Sequence, residues 1–161
     1  MRRLNSLVCD EDGQDLVEFA IASGVFFMLI IGIIEFCLVI YAGSFVAFAA
    51  QQGTRYAMVR GSDWKAACAS ASSYGCTATA GNVQDYILSL PHPGLNLKAS
   101  NITPNWLGTT AAGSTVGCAT TQYAHGCQVK VTVSYTFSLN IPFFGAAAIP
   151  LSSTSVETIQ D

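Results

Sequence analysis

Between Glu18 and Arg55 the chain carries a single charged residue, Glu35; the rest reads FAIASGVFFMLIIGII and then FCLVIYAGSFVAFAAQQGT. About 20 apolar residues, each rising about 1.5 Å, cross a bilayer as a helix, so this block is more than long enough. A secretory signal core is shorter, about 7 to 15 residues, and precedes a small-residue cleavage site. The block therefore reads as a retained membrane anchor. The whole chain points the same way: of 161 residues, 51% are hydrophobic and 11% charged, and the mean hydropathy is +0.42. A chain so apolar and so weakly charged is not intrinsically disordered. Its net charge of -3 argues against a basic nucleic-acid surface, so no nucleic acid is expected as a partner.

Flanking charge does not orient the anchor. Arg2 and Arg3 precede it, Arg55, Arg60 and Lys65 follow it, and acids count little in the positive-inside rule. Cysteine usage is more informative. Cys9 precedes the apolar block and Cys37 lies inside it, whereas Cys68, Cys76, Cys118 and Cys127 all fall in the Ser/Thr/Gly-rich part beyond. Four cysteines in a small, loop-rich, weakly charged domain read as a disulfide framework formed in an oxidising compartment, with the C-terminal part outside the cytoplasm. Three connectivities are open to them, and local pairing of Cys68 with Cys76 and of Cys118 with Cys127 closes short loops. His92 and His125 would have to complete a zinc site, but no C-x2-C spacing supports one, and no metal or other cofactor is expected.

Three regions follow. Residues 1–13 are a polar leader ending in Asp10, Glu11 and Asp12. Residues 14–60 lack proline and are rich in helix formers, and a helix of that length is about 70 Å long, about twice the hydrocarbon thickness. Its upper half must stand outside the membrane. There the residues become small, from Ala42 through Ala50, as close packing against a sheet or helix requires. Residues 61–161 form the external domain. In it a short helix is expected over Trp64 to Ser72, and a second opens at Asn82 as N-cap with Asp85 in its first turn and ends at Pro91. Leu95 to Ile102 alternates loosely as a first strand. From Gln128 to Ser138, Val129, Val131, Val133, Tyr135 and Phe137 alternate with polar residues, the pattern of a strand with one buried face. A turn over Asn140 to Ala148, with Gly145 to Ala148 as loop filler, leads to a third strand running from about Ile149 to Ile159. The expected fold is α+β, a long N-terminal transmembrane helix extending into a small domain with a short antiparallel sheet.

At the leader boundary stands Gly13-Gln14-Asp15-Leu16-Val17-Glu18-Phe19. A glycine, four residues and a glutamate opening a long apolar helix resemble the type IV prepilin processing site. The longer text is similar to the TadE-like family of the tight-adherence (Flp) pilus system. The shared words are Gly13 to Phe19, the G-I-I-E-F of Gly32 to Phe36, and the A-A-x-x-G-x-R-Y-A of Ala49 to Ala57, with a looser likeness in the strand Val131 to Phe137. Asp15 departs from a position that is usually small or apolar, and disulfide-type cysteines are not a family-wide feature.

The resemblance implies a minor pilin or pseudopilin with the overall shape of a type IV pilin. It implies cleavage by a prepilin peptidase between Gly13 and Gln14, which would make Glu18 the fifth mature residue. It further implies that Glu18 pairs with the new amine of a neighbouring subunit's Gln14, and that the partners are the peptidase, other pilin subunits, the assembly platform and the inner membrane. Glu35, 17 residues above Glu18 and about 25 Å along the helix, reads either as an interfacial residue or as an assembly contact. Arg55 and Tyr56 read as capping or packing against the sheet. The competing reading is a permanently anchored adhesin-like or envelope module, which accounts for the anchor and the disulfides but not for Gly13 and Glu18. A hydrolase lacks candidates, since the external domain has only Asp63, Asp85, Glu157 and Asp161 as acids and no nucleophile paired with a base. No enzymatic activity is expected.

Overall fold

The computed structural model describes residues 12–61, 78–118, 123–141 and 145–160. Helix α1 spans Asp12–Val59 as one piece of 48 residues, about 72 Å long. Its glycines do not break it, because five Gly among so many Leu, Ile, Ala and Phe each cost only about 1 kcal/mol of helix propensity. Up to Tyr41 most of its large side chains are exposed and none is buried, whereas above that level one stripe is buried: Ala42, Phe45, Val46, Ala49, Ala50, Gly53, Thr54, Tyr56 and Ala57. The spacing of three and four residues is that of a single helix face.

That face packs on a three-stranded antiparallel sheet in the order β1-β2-β3, with β1 at Ile102–Thr110, β2 at Cys127–Ile141 and β3 at Gly145–Thr158. The expected alternation in β2 holds: Val129, Val131 and Val133 are fully buried, and Lys130, Thr132 and Ser134 face away from the core. On that outer side Thr132 and Thr154 join across the strands through their hydroxyls, 2.9 Å apart. Pro104 and Pro150 both lie on edge strands, where a missing N–H breaks no ladder bond that the sheet needs. A short helix, α2, at Ala80–Ser89 closes one side of the core with Val83 and Ile87.

Several sequence expectations need correction. Leu95 to Ile102 is not a strand: Leu95 and Leu97 are buried from a loop, a single 3-10 turn follows at Ala99–Asn101, and β1 begins only at Ile102. Side-chain alternation there reflects inward-pointing loop residues. The N-cap of α2 is Thr79, whose hydroxyl oxygen accepts from the Asn82 N–H, and no acid occupies the first turn. Asn82 is thus the capped residue. The helix does stop before Pro91, since Leu90 is held extended as the residue ahead of a proline is. The turn placed at Asn140 to Ala148 is shorter than expected, because pairing continues to Ile141 opposite Gly145, and Gly145 to Ala148 belong to β3. Gly145 has φ +79°, which only a glycine adopts without strain and which lets the strand start immediately after the turn. The helix expected over Trp64 to Ser72 lies outside the described residues.

Two hydrogen bonds set the direction of the sheet against α1. Thr54 Oγ1 lies 2.9 Å from Ser155 Oγ, and the Gln160 N–H donates to Met58 O at 3.0 Å. Strand β3 therefore ascends with α1 and β2 descends against it. β1 pairs with β2 only as far as Ile102 opposite Val133, so Ser134 to Ile141 pair with β3 alone. The β2–β3 hairpin is thus a two-stranded arm pointing back toward the exposed half of α1.

Candidate functional site

Gly13 and Gln14, the residues read as the processing junction, lie in the first turn of α1 and are exposed. Among the described residues nothing comes within 4 Å of a Cβ built on Gly13, and both residues have helical rather than extended backbone. Gln14, Val17, Glu18, Ile21 and Ala22 line a shallow groove along one side of the helix, which follows from their spacing of three and four. Glu18 is exposed there. No Lys, Arg or His occurs between Gly13 and Arg55, so no basic side chain of the helix comes near it. Asp15, also exposed, stands three residues before Glu18 and adds a like charge on the neighbouring surface. Both acids sit near the helix N-terminus, whose dipole favours negative charge.

Glu35 does not share this site. Seventeen residues separate it from Glu18, which is about 25 Å along the axis and about 100° around it. It is half-buried, as is Val39, and the two continue the stripe of Ala42, Val46, Ala49 and Gly53 downward. The two acids proposed for assembly therefore face different surroundings.

The disulfide expectation is met where it falls on described residues: Cys118 and Cys127 are bonded, with Cα atoms 5.6 Å apart. Cys127 opens β2, so the bridge ties the loop after β1 to the central strand. Cys68 and Cys76 lie outside the described residues, as does Cys9. Cys37 is a free thiol, exposed on α1. His92 is engaged locally, its Nδ1 lying 2.6 Å from Leu90 O and its ring packing on Phe45 with centroids 5.8 Å apart. Among the described residues no cluster of His, Cys, Asp and Glu has the makings of a metal site.

Tyr56 packs differently from the expectation. It is buried against α2, stacked on Tyr86 with centroids 4.5 Å apart, while the Arg60 guanidinium lies 4.1 Å from its ring centre. The order Tyr-aromatic-cation is a stacked and cation–π arrangement, and the pairing with Tyr86 had no signal in the sequence because 29 residues intervene. Arg55 beside it is exposed. Also unanticipated was the tightness at Gly53, where a Cβ would come 2.6 Å from Ile87 Cδ1 and 3.1 Å from Val131 Cγ1. The glycine of the A-A-x-x-G-x-R word thus lies where α1 packs tightly against both α2 and β2.

Compared with known families, residues 13–55 match the model of TadE-like proteins. The match covers about a quarter of the chain, most of α1. It starts at Gly13, takes in Glu18, Glu35 and Gly53, and ends before the sheet begins. The likeness points to tight-adherence pilus machinery in general. No curated protein and no solved structure matches the chain. The matched helix is also, among the described residues, the one helix long and apolar enough to cross a membrane.

Proposed function

We propose that this TadE-like chain is a minor pilin or pseudopilin of the tight-adherence pilus, a substrate of the prepilin peptidase with a mechanical rather than catalytic role. The observation that carries this reading is the TadE-like match beginning at Gly13, on a helix whose lower half is apolar and uncovered. In this reading residues 1–13 are a cytoplasmic leader and α1 crosses the inner membrane once. The sheet domain stands outside the cytoplasm, where an oxidising compartment maintains the Cys118–Cys127 bridge. The uncovered helix is held by lipid until assembly, and then by the helices of other subunits. Glu18 finds its cation only in that second environment, at the amine that cleavage creates on a neighbour's Gln14. The external domain primes, caps or decorates the fibre.

The test is the N-terminus of the mature protein. Membrane-extracted protein from cells with active peptidase is expected to begin at Gln14 by intact mass and N-terminal sequencing. A mature chain that still begins at Met1 refutes processing and favours the permanently anchored module instead.

A further inference from the structure

We propose that the β2–β3 hairpin arm is a second membrane-contacting element, seated in the outer headgroup region beside α1; this rests on the reading that α1 spans the membrane. The direction of the arm is set by Thr54 against Ser155 and Met58 against Gln160, which send the hairpin down the helix. Its length is set by register. Gly145 is ten residues below Ser155 on β3, a descent of up to about 33 Å, against about 1.5 Å per residue of helix. A strand running along the helix axis would therefore end near the level of Gly32, and a strand at an angle to it somewhat higher, near Glu35.

That level coincides with the outer membrane boundary. If Glu18 marks the inner boundary, about 20 residues of helix fill the hydrocarbon and bring the outer one close to Glu35. The arm's chemistry suits the position. No charged residue occurs between Lys130 and Glu157. The end of the arm presents half-buried Leu139 and Ile149 and exposed Ser138, Asn140, Gly145, Ala146, Ala147 and Ala148. An uncharged mixture of small apolar and polar groups suits the boundary between headgroups and hydrocarbon. Among the described residues both edges of this two-stranded arm lack a strand neighbour, and open backbone edges are not tolerated in hydrocarbon. Headgroups and interfacial water can satisfy them, so the arm lies at the boundary and does not pass through it. Together with α1 it would fix the tilt and height of the domain above the bilayer.

The experiment uses the full-length chain with Cys9→Ser and Cys37→Ser, its remaining cysteines oxidised, and one environment-sensitive fluorophore attached at Ala147→Cys, Val25→Cys or Val116→Cys. Each protein is reconstituted into phosphatidylcholine–phosphatidylglycerol vesicles, with and without lipids spin-labelled near the headgroup, and then titrated with aqueous iodide. All three positions are exposed in the isolated chain; Val25 lies on the lower helix and Val116 at the far end of the domain. The expected result is that the Ala147 label is quenched by the spin-labelled lipid and shielded from iodide, the Val25 label is shielded from iodide, and the Val116 label is quenched by iodide alone. A shielded Val25 with an iodide-accessible Ala147 overturns the arm's membrane contact while leaving the anchor intact. An Ala147 label protected from both quenchers means that protein covers the arm, and also overturns the proposal. Iodide access at Val25 removes the anchor reading itself.

Discussion

Gly53 is where a single atom decides how closely α1 can approach its neighbours. A methyl group there meets Ile87 Cδ1 at 2.6 Å and Val131 Cγ1 at 3.1 Å, and overpacking of this kind costs about 1–3 kcal/mol. Gly53→Ala is therefore expected to lower the stability of the detergent-solubilised protein by that amount in urea unfolding. Ile87→Val removes the nearer atom and on its own costs about 0.5–1.5 kcal/mol. The double variant should be less destabilised than the two single effects added together, and strict additivity would show that the contact is not the cause. Thr54, one residue on, is fully buried and sits 3.0 Å from Ala50 O, 2.9 Å from Gln51 O and 2.9 Å from Ser155 Oγ. With one proton to give, its hydroxyl cannot donate to all three, so the link to β3 uses the proton of one hydroxyl or the other. Thr54→Val keeps the shape and loses that link, at an expected cost of about 0.5–1.5 kcal/mol in the same unfolding measurement.

At the scale of elements, the sheet is held at one end by the Cys118–Cys127 bridge and, at the level of Ile102, by α1 and by α2, whose Gln84 Nε2 donates to Ile102 O at 2.9 Å. The bridge closes a loop of sequence separation 9, for which chain entropy gives about 2–3 kcal/mol. Replacing both cysteines with serine is expected to lower the unfolding free energy by that much, followed by tryptophan fluorescence under non-reducing conditions. An unchanged midpoint would mean that the hydrogen bonds of Gly126 and Ile159 with each other and with Cys127 already hold this end. The elements themselves follow local rules unevenly. β2 was legible because a valine ladder alternates with Lys, Thr and Ser. The loop of Leu95 and Leu97 alternates too, and it took the position of the core to show that burial without strand pairing produces the same pattern.

For the whole molecule, the decisive feature is a helix of which, among the described residues, only the upper half is covered. Glu18 lies in the exposed half of the helix, with no basic residue on α1 before Arg55, so Glu18→Ala is expected to insert into membranes and to be processed normally. It should nevertheless be depleted from sheared pili by about tenfold or more, because losing even about 1.4 kcal/mol at a subunit contact is a factor of ten in association. The measurement compares processed protein in membranes with protein in pili, for wild type and variant. Equal incorporation would remove charge pairing from the proposal. Absence of the wild type from pili as well would favour the anchored module.

The long apolar helix, the central strand and the local disulfide all rest on interactions between residues near in sequence or on bulk transfer to lipid. They could be read from the chain alone for that reason. Pattern and composition encode such terms directly, and the TadE-like words lie wholly within them. The stacking of Tyr56 on Tyr86, the close fit of Gly53 to Ile87 and Val131, the capping by Thr79 and the downward course of the β2–β3 arm depend on which faces meet when the chain closes. Each joins surfaces whose fit is set by rotamers, register and strand direction. The tertiary structure alone decides those, because many registers satisfy the same alternation and only one fills the core.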